Sequence, residues 1–256
     1  MGCVITMKLK DKVALITGGT RGIGLATAKL FLEHGARVAI VGRDENAGRA
    51  ALENSQGAIF VAGDVTRADD CERIVNETWR AFGRLDILFN NAGVIFRNRN
   101  LEATSEDEWD ATMETNVKSI FLMSRAALPH LRAAGGGAII NSASYLGLVG
   151  VRGLAAYSAS KGAVVNLTRA MALDHAPEKI RVNCICAGSV DTDMIHAAWQ
   201  AYGDMDQAAR VWAAKHPLGR IASAQEIARV VLFLASDDAS FITGAAIPVD
   251  GGITAG

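Results

Sequence analysis

Short apolar runs of four to six residues alternate along this chain with longer segments of helical period. That alternation restricts the fold more than any other feature. Such short runs, each followed by a helix, are strands covered on both faces, the condition of a parallel sheet built from βαβ units. The first run, Val13-Ala14-Leu15-Ile16, is followed by a glycine-rich turn and a helix predicted from about Ile23 to His34, with Gly35 as its stop. The pattern continues with a strand at Val38–Val41, a polar helix at Glu45–Asn54, a strand at Ala58–Ala62, a helix at Asp69–Phe82 and a strand at Asp86–Phe89. Two nearly continuous helices, Glu106–Asn116 and Val117–Ala134, end at Gly135-Gly136-Gly137. A strand at Ala138–Asn141, a helix at Ala155–His175, a strand at Arg181–Cys186, a helix at Ala224–Ala235 and a last strand at Ala246–Val249 follow. The stretch from Asp191 to Pro217 has weaker periodicity, and no strand or helix is placed in it.

Composition narrows the function classes. Half of the 256 residues are apolar and 21% are charged, enough apolar surface to bury a core. Lys and Arg total 26 against 27 Asp and Glu, so nothing electrostatic points to nucleic acid or to an anionic membrane. No apolar run approaches the roughly 18 residues of a membrane span. With 26 glycines and 4 prolines, the chain has tight turns and close backbone approaches but no proline-rich linker, and it reads as one domain. Residues 1–9 are expected to be an N-terminal extension and residues 10–256 a single dinucleotide-binding catalytic domain. Gly2 and Thr6 fit a short acylation pattern of the kind that arises by chance, and residues 1–6 are too short and too weakly apolar for a secretory signal. Of the cysteines Cys3, Cys71, Cys184 and Cys186, the last two point to one face of a strand and read as small buried hydrophobes. No Cys or His stands at metal-ligand spacing, so no metal is expected. Few cysteines fit a reducing compartment, and the expected location is the cytoplasm.

Thr17-Gly18-Gly19-Thr20-Arg21-Gly22-Ile23-Gly24 joins strand one to helix one. Gly18 permits a sharp turn, Gly22 lets the backbone approach a pyrophosphate, and Gly24 lets the helix pack on the sheet. The spacing differs from G-x-G-x-x-G, with three residues between the first two glycines and one between the last two. Its position after the first strand points to a dinucleotide.

With these glycines the chain resembles the short-chain dehydrogenase/reductase family, whose glycine motif is T-G-x-x-x-G-x-G. Asn90-Asn91-Ala92-Gly93 matches that family's N-N-A-G, and Tyr157-Ser158-Ala159-Ser160-Lys161 its Y-x-x-x-K. Ser144, thirteen residues before Tyr157, and Asn116, a little under thirty before Ser144, stand where the family has a serine and an asparagine. The resemblance runs from Lys10 to Gly252 and departs at Ala187-Gly188, where the family has P-G. It implies a single-domain Rossmann α/β fold, a doubly wound parallel sheet in the order 3-2-1-4-5-6-7 with helices on both faces. It also implies cofactor contacts from Thr20, Ile23, Asn91, Ala92, Gly93, Gly188, Val190 and Thr192, with Asp64 and Val65 at the adenine. Lys161 would hold the nicotinamide ribose, and Asn116 would support a proton-conducting water. Relatives pair the Ala155–His175 helix and its neighbour between subunits, so a homotetramer is expected, with a dimer as the alternative and Gly251–Gly256 near a subunit contact.

The end of strand two selects the dinucleotide, because it lies beside the adenosine ribose. Gly42-Arg43-Asp44 offers a cation for a 2′-phosphate, and Arg21 can approach the same group, so NADP is expected, with NAD or dual use as the alternative. Asp44 is also placed to cap the next helix.

Tyr157 and Lys161 lie four apart on a helix, about 40° and ~6 Å from one another, and can reach one reacting site. A phenol of pKa ~10 needs help to act near neutral pH. The Lys161 ammonium and a positive nicotinamide would supply it, Tyr157 then exchanging a proton with the substrate oxygen while Ser144 steadies that oxygen. The expected activity is hydride transfer between nicotinamide and a secondary alcohol or ketone, a sugar, polyol or sugar acid among the candidates. A 3-oxoacyl thioester reductase and a non-catalytic dinucleotide-binding protein are the alternatives. Specificity is expected in Tyr145–Gly153 and in a lid at about residues 189–216, which carries Met194, His196, Trp199, Tyr202 and Trp212. Arg97, Arg99 and Arg152 lie near the strand ends where a substrate carboxylate could be held.

Overall fold

The computed structural model describes residues 7–53, 55–200 and 203–256. Cys3, the acylation pattern, Asn54 and Tyr202 therefore lie outside the described residues. In chain order the elements are β1 (Val13–Thr17), α1 (Gly22–Glu33), β2 (Arg37–Gly42), α2 (Glu45–Ala51), β3 (Ala58–Ala62), α3 (Ala68–Phe82) and β4 (Ile87–Asn90). They continue with α4 (Glu106–Met113), α5 (Ser119–Ala133), β5 (Gly137–Ser142), α6 (Ala155–His175) and β6 (Ile180–Ala187). The last are β7 (Val190–Asp191), α7 (Asp193–Trp199), α8 (Met205–Ala213), β8 (Ala222–Ser223), α9 (Ala224–Ala235) and β9 (Ala246–Val249).

Among the described residues, seven strands form one sheet in the order β3-β2-β1-β4-β5-β6-β9, every neighbouring pair parallel. This is the expected order, with β9 in the seventh place because β7 and β8 pair separately. Alternate residues of each strand feed opposite faces of the sheet. Ala14, Ile16, Val38, Ile40, Ile87 and Phe89 pack with α1 and α9, whereas Val13, Leu15, Ala39, Val41 and Leu88 pack with α3 and α5. The chain leaves β1 toward β2 on one side and returns to β4 on the other. The carboxyl ends of β1 and β4 therefore flank the crevice in which such sheets bind ligands.

Three local features differ from the sequence expectation. Residues 191–217 hold two helices, α7 and α8, each too short for a periodic pattern and joined by their own apolar cluster of Ile195, Trp199, Ala208, Trp212 and Ile221. The helices α4 and α5 run together through one π-helical turn, Glu114–Lys118, which contains Asn116. Leu9, assigned to the extension, is buried in the core, and its N–H donates to the His34 carbonyl at 3.0 Å. Among the described residues no helix is long and apolar enough to cross a membrane.

Candidate active site

The glycine turn is fixed from β4. Thr17 Oγ1 accepts the Asn91 and Ala92 N–H groups at 2.9 and 3.0 Å, and Asn91 Nδ2 donates to the Thr17 and Gly18 carbonyls at 3.1 Å each. Gly18 at φ +61° and Gly22 at φ +53° adopt the left-handed conformation that glycine tolerates. A Cβ on Gly24 would stand 2.2 Å from the Gly18 carbonyl, so no side chain fits where helix and turn meet. Thr20 leans against Gly42 at the end of β2, and the Thr192 methyl faces Gly22 across the crevice. Ile23 packs on the core beneath.

The start of α1 lacks the side-chain cap that four other helices of this molecule carry. Asp44, Ser105, Asp204 and Ser223 cap α2, α4, α8 and α9 through side-chain oxygens, two of them as capping boxes. Arg21 at the head of α1 makes no capping bond, and the first turn carries no acid. Unpaired amides, a positive helix end and missing side chains together fit the pyrophosphate of a dinucleotide.

Beyond the end of β2, Arg43 is exposed and has no ion pair among the described residues. Asp44 spends one carboxylate oxygen on the Asn46 and Ala47 N–H groups. Arg21 stands 3.9 Å from Asp193 of α7, with both side chains exposed. Asp64 Oδ1 accepts the N–H and hydroxyl of Thr66, and Val65 is buried beside it.

The structure brings Ser144, Tyr157 and Lys161 together. Lys161 is buried, and its Nζ donates to the Ser142 carbonyl at 2.7 Å and lies 5.5 Å from the centre of the Tyr157 ring. Burial pushes the Lys161 ammonium down to about 8. Tyr157 is pushed up to about 12 by loss of water around its hydroxyl, against the opposing influence of the Arg97 charge and a hydrogen bond with Ser144. Ser144 Oγ accepts the Leu146 N–H at 3.2 Å, which fixes it above β5.

Asn116 is fully committed. Its Oδ1 accepts the Val94 N–H at 2.8 Å, and its Nδ2 donates to the Val94 carbonyl and to Ser160 Oγ, both at 3.0 Å. Ser160 Oγ in turn donates to the Tyr157 carbonyl at 2.7 Å. Asn116 thus joins the loop after β4 to the helix that carries the tyrosine. Gly93 lies between them: a Cβ there would stand 3.2 Å from Asn116 Oδ1 and 3.7 Å from Lys161 Nζ. The roles of Ser160 and of the Ser142 carbonyl were not read from the sequence. A serine three residues after the tyrosine, where a helix brings side chain and carbonyl together, was the available signal.

On the opposite wall, Gly188 donates to the Val249 carbonyl at 3.0 Å, and a Cβ there would press on Asp250, so the turn after β6 keeps its glycine for packing. Val190 is buried and pairs with Ala222. His216 was also missed as a tie: its Nδ1 donates to the Trp212 carbonyl at 3.0 Å, and its Nε2 accepts the Ser189 N–H at 3.1 Å. The three arginines separate. Arg99 is paired with Glu108 at 3.0 Å, Arg152 is exposed, and Arg97 points to Trp212.

Comparison with known proteins adds the following. A family model described as enoyl-(acyl carrier protein) reductase matches residues 18–254. The chain is 42% identical to an uncharacterized oxidoreductase of Thermotoga maritima over 97% of its own length and 100% of that protein's. It is 43% identical to the meso-2,3-butanediol dehydrogenase of Serratia marcescens over 97% of each. The ligand-free aldohexose dehydrogenase of Thermoplasma acidophilum superposes with a TM-score of 0.91 at 31% identity, covering 98% of this chain and 97% of that one.

Proposed function

The chain belongs to the short-chain dehydrogenase/reductase family of NAD(P)-dependent oxidoreductases, and from that premise we propose that it interconverts a secondary alcohol and a ketone, with a sugar, polyol or sugar acid as the substrate class. The observation that carries this reading is the convergence of Tyr157, Lys161 and Ser144 near Gly93, whose neighbour Ala92 abuts the glycine turn at Gly18. When bound, the dinucleotide supplies hydride exchange and positive charge near the phenol. Gly18, Thr20, Gly22, Ile23, Gly24, Asn91, Ala92, Gly93, Gly188, Val190 and Thr192 would hold it, with Asp64 and Val65 at the adenine.

Ser144 donates to the substrate oxygen and resists the growth of charge there. Tyr157 gives its hydroxyl proton to that oxygen in reduction and takes it back in oxidation. Lys161, anchored on the Ser142 carbonyl, stabilises the tyrosinate left behind, which offsets the burial that raises the phenol pKa. Asn116 acts as a positioning residue, holding α6 and the loop after β4 in register.

Arg43 has no carboxylate partner among the described residues and Asp44 is engaged in a cap, which supports NADP as the cofactor. Exposed Phe121 on α5 and Leu173 on α6 support a homotetramer paired through these helices, although Leu122 and Leu131 are turned into the core. Buried thiols at Cys71, Cys184 and Cys186 support the cytoplasm as the location.

The test is NADPH oxidation with ketoses, sugar acids, diketones and an acetoacetyl thioester. Turnover of ketones supports the proposal. Turnover of the thioester alone, or cofactor binding with no turnover, overturns it.

A further inference from the structure

We propose that Arg97, assisted by Lys215, receives a carboxylate of the substrate, so that the cleft prefers keto and hydroxy acids to uncharged analogues of the same shape. This rests on the alcohol–ketone reading given above. Arg97 sits on the loop after β4, two residues beyond Ile95, which packs against the same cluster of Tyr145, Leu146 and Leu154 as Tyr157 does. Its guanidinium carbon stands 5.2 Å from the centre of the Trp212 ring, and Lys215 Nζ stands 4.0 Å from the same centre. Two cations from different segments therefore converge on one indole at the mouth of the cleft. Neither has an acidic partner among the described residues, whereas the neighbouring Arg99 is paired with Glu108.

Such an arrangement costs energy in the ligand-free protein. Burial disfavours the charge of Arg97, and both burial and the nearness of Arg97 disfavour the charge of Lys215. Placing a Glu or Asp opposite them would remove the cost, as Glu108 does for Arg99. With no such acid present, an anion brought by the ligand satisfies both cations. A carboxylate matches the planar guanidinium through two parallel hydrogen bonds, and the ammonium adds a point charge. The Arg97 charge is also felt at the Tyr157 hydroxyl, which places this anion receptor next to the reacting end of the cleft.

The test compares pyruvate, acetoacetate and levulinate with their carboxamides as substrates for NADPH oxidation. In the parent protein at least one acid should exceed its amide in kcat/KM by about tenfold or more, the loss expected for one charge-assisted contact. In Arg97→Gln the acid-to-amide ratio should fall to near one, and Arg97→Lys should regain part of it. Amides used as well as the acids, or an unchanged ratio in Arg97→Gln, overturns the assignment. If neither series turns over, the alcohol–ketone reading has failed on these probes, and calorimetry of the NADP-loaded protein with levulinate and levulinamide decides the anion question separately. Binding of the acid alone, abolished in Arg97→Gln, supports the receptor. Equal binding of both, or none, overturns it.

Discussion

On one side of the cleft the glycine turn, β4, β5 and α6 are tied by side chains with little freedom left: Asn91 holds the turn, Asn116 holds Val94 and Ser160, and Lys161 holds Ser142. On the other side, α7 and α8 are packed mainly on one another through Ile195, Trp199 and Ala208, and they meet the body through His216 and the two-residue β7–β8 pair. The first wall is hydrogen-bonded and polar inside, with Ser158 Oγ of α6 buried without a partner; the second is apolar inside, with Trp199 and Trp212 each leaving a buried Nε1 unpaired. A wall of the first kind suits proton transfer, where small displacements are costly. The second suits a surface that adjusts to a ligand.

The sharpest way to break this comparison is to remove the reacting group from the rigid wall. Tyr157→Phe should lower kcat by about 10²–10⁴-fold on every substrate alike, because only the proton-transfer group is lost. NADPH affinity, read by fluorescence titration, should stay close to the parent. Activity within tenfold of the parent, or a loss confined to some substrates, would remove the distinction between the walls.

Next in size is Asn116→Ala. It strips a fully buried amide from three partners and leaves both Val94 backbone groups without them, so it should destabilise the protein by about 2–4 kcal/mol in urea unfolding. A loss below about 1 kcal/mol would mean that the π-helical turn, and not the amide, holds the two segments.

Lys161 offers a pH test of the same wall. Its pKa falls from about 10.5 in the unfolded chain to about 8 in the folded one. Between these values the unfolded state binds more protons, so this group makes stability rise with pH from 8 toward 10. Tyr157, shifted upward to about 12, opposes this only above its ordinary value of 10. Denaturation of the ligand-free protein between pH 8 and 10 should therefore show a slope that Lys161→Met flattens. An identical slope in the variant would place the ammonium in water.

Arg43→Ala should weaken NADP binding by about 1.5–3 kcal/mol, as measured by calorimetry, with little change for NAD. Equal losses for both cofactors, or a parent preference for NAD, would show that Arg43 does not select.

Legibility in the sequence divides along the same line. The sheet was readable because its central strands are apolar runs buried on both faces, as Ala14–Ile16 and Val38–Val41 are. Tyr157 and Lys161 stand at a short, fixed spacing because they lie on successive turns of one helix, and Asn91 is marked by its place just after β4. Asn116 was readable as a position, but its partners Val94 and Ser160 are 22 and 44 residues away, and no local pattern encodes such a meeting. The segment after β7 shows no period in the sequence because α7 has seven residues and α8 nine, less than the length over which a helical period shows itself. Among Arg97, Arg99 and Arg152, only folding reveals that Glu108 neutralises one and Trp212 receives another.

The smallest expected effect lies in the lid, and it tests whether this wall is adaptable at all. Trp199 is buried against Ile195 and Ala208, with its Nε1 unpaired. Trp199→Phe deletes that N–H and part of the ring while keeping an aromatic contact, so the packing loss is partly offset by removal of an unsatisfied donor. Stability should change by less than about 1.5 kcal/mol. Because α7 carries Thr192 and Asp193 at its start, facing Gly22 and Arg21, a small tilt of the helix is felt at the cleft without moving Tyr157. KM values across a substrate panel should accordingly shift by different factors for different substrates while kcat on the best one stays within about threefold. A uniform fall in kcat would show instead that the lid is part of the rigid wall, holding the reacting groups as firmly as Asn116 does.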